Sequence, residues 1–151
     1  LLLEEGAVEL PEGEFNAAFN PEAVVKVTDV LLASHENTAQ IIDARPAARF
    51  NAEVDEPRPG LRRGHIPGAL NVPWTELVRE GELKTTDELD AIFFGRGVSY
   101  DKPIIVSCGS GVTAAMVLLA LATLDVPNVK LYDGAWSEWG ARADLPVEPV
   151  K

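Results

Sequence analysis

Short β-branched runs along the chain alternate with longer stretches whose apolar positions recur at helical spacing. VVKV (24–27) is a short strand pattern, and TDVLLASHEN (28–37) follows it as a helix. Thr28 or Asp29 is the expected N-cap there, with Val30, Leu31 and Leu32 on the apolar face. AQIIDAR (39–45) is a second strand, in which Ile41 and Ile42 run into Asp43 and Arg45. TTDELDAIFFGRG (85–97) is a helix capped by Thr85 or Thr86, with acids in its first turn and Gly95 or Gly97 at its end. KPIIVSC (102–108) is the strongest strand, because Ile104, Ile105 and Val106 form an unbroken run suited to a strand covered on both faces. VTAAMVLLALATL (112–124) is an apolar helix, NVKLYDG (128–134) a strand and AWSEWGAR (135–142) a final helix. The alternation predicts an α/β domain with a central, mainly parallel sheet flanked by helices on both faces.

Two segments do not follow this rhythm. Residues 1–20 are rich in Glu, Pro and Asn and are expected to form an arm or interdomain linker with at most one short strand, leaving 21–151 as the folded domain. Residues 46–74 form a long stretch punctuated by Pro and Gly, with only short turns of helix expected. Segments of this length in compact domains are usually functional or disordered. Phe50, Ile66, Leu70, Val72 and Trp74 can anchor this one to the core.

Composition narrows the possibilities. A chain of 151 residues, 46% hydrophobic and 25% charged, supports one domain with a proper core. Its net charge of -11 argues against nucleic acid or an anionic membrane as partner. A single cysteine rules out an internal disulfide and suits a reducing, cytoplasmic setting. The opening LLLEEGAVELPEGE places acids where a secretory leader would be basic, and the apolar run AAMVLLALATL is too short to span a bilayer. Two histidines and no Cys/His cluster leave no zinc spacing. The chain starts without Met, which reads as a processed product or a piece of a longer protein.

The lone cysteine lies in VSCGSGVTA (106–114), directly after the buried strand and just before the apolar helix. Open α/β sheets place ligands in this crevice, beyond the carboxyl ends of the strands. Gly109 and Gly111 permit a tight loop with converging N–H groups, and the next helix adds its positive end. Both features favour a thiolate, or an anion held above it. The alternative is a buried structural Cys beside two turn glycines. A cysteine-dependent phosphatase needs Arg at the sixth residue after Cys, where this chain has Ala114, and no Arg or Lys occurs over 109–114. A dithiol redox pair lacks its second Cys, and neither His35 nor His65 shows a claim to pair with Cys108 as in a protease. A thiol that needs only a nest of backbone donors fits sulfur carriage through a persulfide.

Six segments in order resemble the rhodanese family: IIDAR (41–45), ARF (48–50), EPR (56–58), GHIPGALNVPW (64–74), CGSGVTA (108–114) and DGAWSEW (133–139). The cysteine loop is similar to that of the mercaptopyruvate type, in its C-terminal catalytic domain. Thiosulfate-preferring members carry Arg and Lys where this chain has Gly109 and Ser110. The resemblance implies a sulfurtransferase that takes sulfur from 3-mercaptopyruvate onto Cys108 and releases pyruvate. The sulfur then passes to cyanide, a thiol or reduced thioredoxin, and no metal or organic cofactor is required.

It also implies that Arg49 and Arg58 bind the donor, whose carboxylate and carbonyl match guanidinium forks. The competing reading makes both arginines solvent-facing partners of Glu53, Asp55 or Glu56. Ser110 is implied to help move a proton, with loop geometry as its other explanation. Backbone donors are implied over Gly109, Ser110, Gly111, Val112, Thr113 and Ala114. His65 is expected in a structural turn, Trp136 and Trp139 in packing, and Asp43 orienting loop backbone or pairing with an arginine; Arg62 and Arg63 are expected on the rim. An N-terminal rhodanese domain of the same protein is the implied partner. A generic persulfide carrier, a thiosulfate-type enzyme and a non-enzymatic interaction domain are the alternatives.

Overall fold

The computed structural model describes residues 12–149. Its centre is a five-stranded parallel sheet in the order β1-β7-β6-β2-β3. The strands are β1 (Val24–Val25), β2 (Gln40–Asp43), β3 (Leu70–Asn71), β6 (Ile104–Ser107) and β7 (Val129–Tyr132). The remaining two, β4 (Val78–Arg79) and β5 (Glu82–Leu83), form a separate antiparallel hairpin. The helices are α1 (Val27–Glu36), α2 (Ala47–Phe50), α3 (Thr86–Gly95), α4 (Ala114–Thr123) and α5 (Ala135–Trp139).

The sheet is buried on both sides, so its strands divide their side chains between two cores. Ile42, Ile104 and Val106 face Leu89 and Phe93 of α3 and Val117 and Leu121 of α4. Ile41, Ile105 and Tyr132 face Val30 and Ala33 of α1 and Trp136 and Trp139 of α5. This is the arrangement the alternating sequence predicts, with helices on both faces.

β2 and β6 are neighbours in register, Asp43 opposite Ser107. From β2 the chain next joins the sheet at β3 on one side, and from β6 at β7 on the other. The connections diverge between these two strands, which opens a crevice at their carboxyl ends.

Several local expectations change. The N-cap of α1 is Lys26, not Thr28 or Asp29; Asp29 lies inside the first turn, where its carboxylate accepts the Lys26 N–H at 2.8 Å. The interior acid thus does the capping work on its own upstream backbone. The stretch 46–74 contains the edge strand β3 as well as α2, and its backbone is held to β2 by Val72 N–H to Asp43 O and Trp74 N–H to Ala44 O. α3 is N-capped by Thr85, with Glu88 as its reciprocal partner, and is followed beyond its C-cap Arg96 by Gly97, which is left-handed at φ +82. There the Val98 N–H returns to Phe93 O and the Gly97 N–H to Phe94 O, satisfying carbonyls of the last turn. Residues 12–20 carry no helix or strand. The expectations for residues 1–11, and for the last two positions of the chain, lie outside the described residues.

Candidate active site

Strand β6 delivers Cys108 to the crevice and α4 begins at Ala114, so residues 108–113 form the loop between them. Gly111 has φ +85, and a Cβ there would stand 2.7 Å from Asp133 Oδ1; both conditions call for glycine. The Gly111 N–H donates to Cys108 Sγ at 3.1 Å. The carbonyls of Cys108 and Gly109 are turned toward α5, where they accept from Trp136 N–H at 2.9 Å and Ser137 N–H at 3.0 Å. The N–H of a trans peptide points opposite its carbonyl. The Gly109 and Ser110 N–H groups therefore face away from α5.

A cleft of about 220 Å³ lies beside the loop. Gly109, Ser110 and Thr113 form one wall, Arg49, Glu56 and Arg58 the other, with Pro57 and Leu61 adding apolar surface. Cys108 itself is only 1% exposed and is packed in the core next to Gly109, which lines the cleft. Of the expected backbone donors, Gly111 is the one bonded to the sulfur; Val112 is exposed away from the cleft and Ala114 is buried in the core as the first residue of α4.

The two arginines are held differently. Arg49 closes the short helix α2, and the buried Glu56 carboxylate receives both its Nε and its Nη2. Glu56 is shared with Arg45, whose Nη1 donates to it at 2.7 Å. Arg45 in turn grips Asp43 through Nε at 3.0 Å and Nη2 at 2.6 Å, reaches Gly64 O at 2.7 Å, and lies 4.4 Å over the Trp136 ring. Asp43, Arg45, Glu56 and Arg49 thus make a charge-neutral chain from the end of β2 to the cleft. Its buried members are all paired, as buried charges must be. Arg49 pairs with Glu56, as the competing reading expects, and also lines the cleft. Arg58 is exposed, and its Nη1 donates to Ser137 Oγ at 2.9 Å. No carboxylate among the described residues pairs with it.

Other sequence candidates fall outside the cleft. His65 stacks on Phe50 with ring centroids 3.7 Å apart, and its Nδ1 is 2.7 Å from Phe50 O. Trp136 and Trp139 are buried in the core, their indole N–H groups bonded to Arg62 O and Pro146 O. Arg62 does not belong to the rim of the cleft: its guanidinium caps the end of α5 by donating to the carbonyls of Trp139, Gly140, Arg142 and Leu145. Arg63 pairs with exposed Asp55. Among the described residues no group of His, Cys, Asp or Glu could hold a metal ion, and no helix is long and apolar enough to cross a membrane.

Sequence reasoning names Glu56 as a partner of Arg49, but its second partner, Arg45, and its burial show only when the two arginines converge on it. It misses Ser137 altogether. Ser137 meets Gly109 and Arg58 across separations of 28 and 79 positions, which no local pattern records.

The rhodanese-like domain model matches residues 26–142. The chain is 99% identical to 3-mercaptopyruvate sulfurtransferase of Escherichia coli K12 over 151 residues, covering all of this chain and 54% of that protein. It is 41% identical to 3-mercaptopyruvate sulfurtransferase of Rattus norvegicus, covering 86% of this chain and 44% of that one. The crystal structure of SseA from Escherichia coli, a 3-mercaptopyruvate sulfurtransferase, superimposes with a TM-score of 0.77 at 96% identity, over 91% of this chain and 51% of that one. The chain spans about half the length of the curated relatives it matches.

Proposed function

The chain belongs to the rhodanese family, and on that footing we propose that it is the catalytic half of a tandem 3-mercaptopyruvate sulfurtransferase. The observation that carries the reading is the cleft itself. Two guanidinium groups and one carboxylate face a loop without any cation, next to a cysteine whose sulfur receives a backbone N–H. The lining thus bears one net positive charge, which suits a singly charged α-keto carboxylate better than a dianion such as thiosulfate.

Arg49 and Arg58 hold the donor's carboxylate and carbonyl oxygens. The Cys108 thiolate attacks the donor sulfur, a new S–S bond forms, and the C–S bond breaks with its electron pair passing to carbon. The departing group is the enolate of pyruvate. It takes up the proton of the donor's thiol, with the Ser110 hydroxyl placed at the cleft wall to relay it. The Gly111 N–H, the loop N–H groups turned away from α5 and the N-terminus of α4 stabilise negative charge on sulfur. A nucleophilic acceptor, either cyanide or a thiol such as reduced thioredoxin, then attacks the outer sulfur and restores the Cys108 thiolate.

The preceding half of the enzyme, an N-terminal rhodanese domain, faces the mouth of the cleft, where Arg58 and Ser110 are exposed. The relatives' greater length supports the presence of such a second domain. Residues 1–20 then act as the linker and 21–151 as the catalytic domain, in the reducing cytoplasm that a lone thiol suits.

The test is intact-protein mass after incubation with 3-mercaptopyruvate. A gain of one sulfur atom with pyruvate release, reversed by reductant and absent in Cys108→Ser, is the expected result. No gain from this chain, alone or joined to its partner domain, overturns the reading.

A further inference from the structure

Arg58 differs from the other arginines around Cys108 in what holds it. Arg45 and Arg49 are tied by carboxylates that offset their charge. Arg58 is tied, among the described residues, by a hydroxyl: its Nη1 donates to Ser137 Oγ at 2.9 Å. That hydroxyl is committed in both directions, because Ser137 Oγ also donates to Gly109 O at 2.6 Å. The same carbonyl accepts the Ser137 backbone N–H at 3.0 Å. A hydroxyl has one proton to give, so donating it to Gly109 O leaves a lone pair for Arg58.

We infer that Ser137 is a positioning residue, which aligns Arg58 with the Gly109 end of the cysteine loop and leaves its charge uncancelled for the donor's carboxylate. A carboxylate at this place would orient the guanidinium as well but would neutralise it. An apolar side chain would leave an exposed, flexible arginine with no fixed direction, and ordering it on binding would then cost affinity. Ser137 does not line the cleft, so it acts through Arg58 rather than on the donor. Its place at the third residue of α5 lets one side chain span the two walls: Arg58 belongs to the long segment after β2, and Gly109 to the loop after β6. The inference rests on the sulfurtransferase reading for the identity of the donor, though not for the geometry.

Ser137→Val removes the hydroxyl while keeping the backbone N–H bond, and Ser137→Thr keeps both. In the intact polypeptide in which this sequence occurs, Ser137→Val is expected to raise KM for 3-mercaptopyruvate about tenfold, the loss of one hydrogen bond to a charged group, with a much smaller change in kcat. Ser137→Thr returns KM toward wild type. In an Arg58→Ala background Ser137→Val adds nothing, because its effect passes through Arg58. The same variants are titrated with pyruvate, which reports carboxylate binding without turnover, and the same tenfold weakening with Thr rescue is expected.

A Ser137→Val protein with wild-type KM and pyruvate affinity, or additive effects of the two substitutions, overturns the inference. If the wild type transfers no sulfur, the functional reading falls and the pyruvate series decides the role of Ser137 alone. A wild type that binds no pyruvate overturns that role as well.

Discussion

The guanidinium of Arg49 lies against the α-carbon of Gly109, so close that a methyl group added there would stand 2.8 Å from Nη2. Glu56 holds the same guanidinium from behind, which leaves it little freedom to retreat. A Cβ at 109 is thus opposed by a side chain from another segment rather than by the loop itself. Gly109→Ala is expected to displace Arg49 and raise KM for the donor about tenfold, the scale of a lost charge-assisted hydrogen bond. Steady-state pyruvate release gives KM, and a thermal melt close to wild type shows that the fold has survived.

Arg45 bridges two buried carboxylates, Asp43 and Glu56. Arg45→Met leaves both without their shared cation in a site that excludes water. Removing one partner of a buried ion pair costs about 3–5 kcal/mol, and that loss is the expected shift in a urea unfolding curve. Replacing exposed Arg63, which pairs with exposed Asp55, is expected to leave the curve unchanged. Equal effects from the two substitutions would contradict the account.

Gly64 has φ +112, and a Cβ there would collide with the carbonyl oxygen of Glu148 and stand 2.6 Å from Val147 Cγ1. This close approach lets residues 65 and 148 exchange backbone hydrogen bonds, closing the C-terminal segment onto the body of the domain. Gly64→Ala combines backbone strain of about 1–3 kcal/mol with the loss of that bridge. A lower melting temperature, with earlier proteolytic cleavage of the C-terminal residues, is the expected outcome.

Glu88 links pH to the start of α3. The Arg79 guanidinium, with the Thr85 N–H and hydroxyl, holds its carboxyl down at about 2, from an ordinary value of 4.5. A carboxyl lowered in the folded state adds stability that is fully present above its unfolded value and disappears as the pH falls through the folded one. The stability difference between wild type and Glu88→Gln should therefore be constant above pH 4.5, then shrink and vanish near pH 2. Chemical unfolding at a series of pH values measures it, and a difference independent of pH would refute the assignment.

The sequence discloses most where one segment carries its own signal. Ile104, Ile105 and Val106 mark a buried strand because three adjacent β-branched residues suit burial on both faces. Thr85 and Glu88 mark a helix start because their side chains close on each other within one turn. Strand β3 stays hidden because two residues, Leu70 and Asn71, are too few to show alternation, and only pairing with Ile42 and Asp43 defines them. Lys26 is hidden as an N-cap because its side-chain type does not favour the position. In the site, the Cys108 loop is visible as contiguous residues, and the segments carrying Arg49 and Arg58 are visible through their family pattern. The zero-sum chain from Asp43 to Arg49, and the hydroxyl of Ser137, exist only after the strands align.

Cys108 is 1% exposed beside a cleft of about 220 Å³. On the proposed sulfurtransferase reading, this burial limits the reach of whatever would collect its sulfur. Two flat protein surfaces pressed together would leave the two sulfur atoms apart. A small anion can diffuse in, but a protein acceptor must project its thiol on a narrow tip, as a key enters a lock plate, or wait for a small thiol to carry the sulfur out. If Cys108 carries sulfur as proposed, burial of one residue would thereby sort acceptors by shape before any chemistry begins.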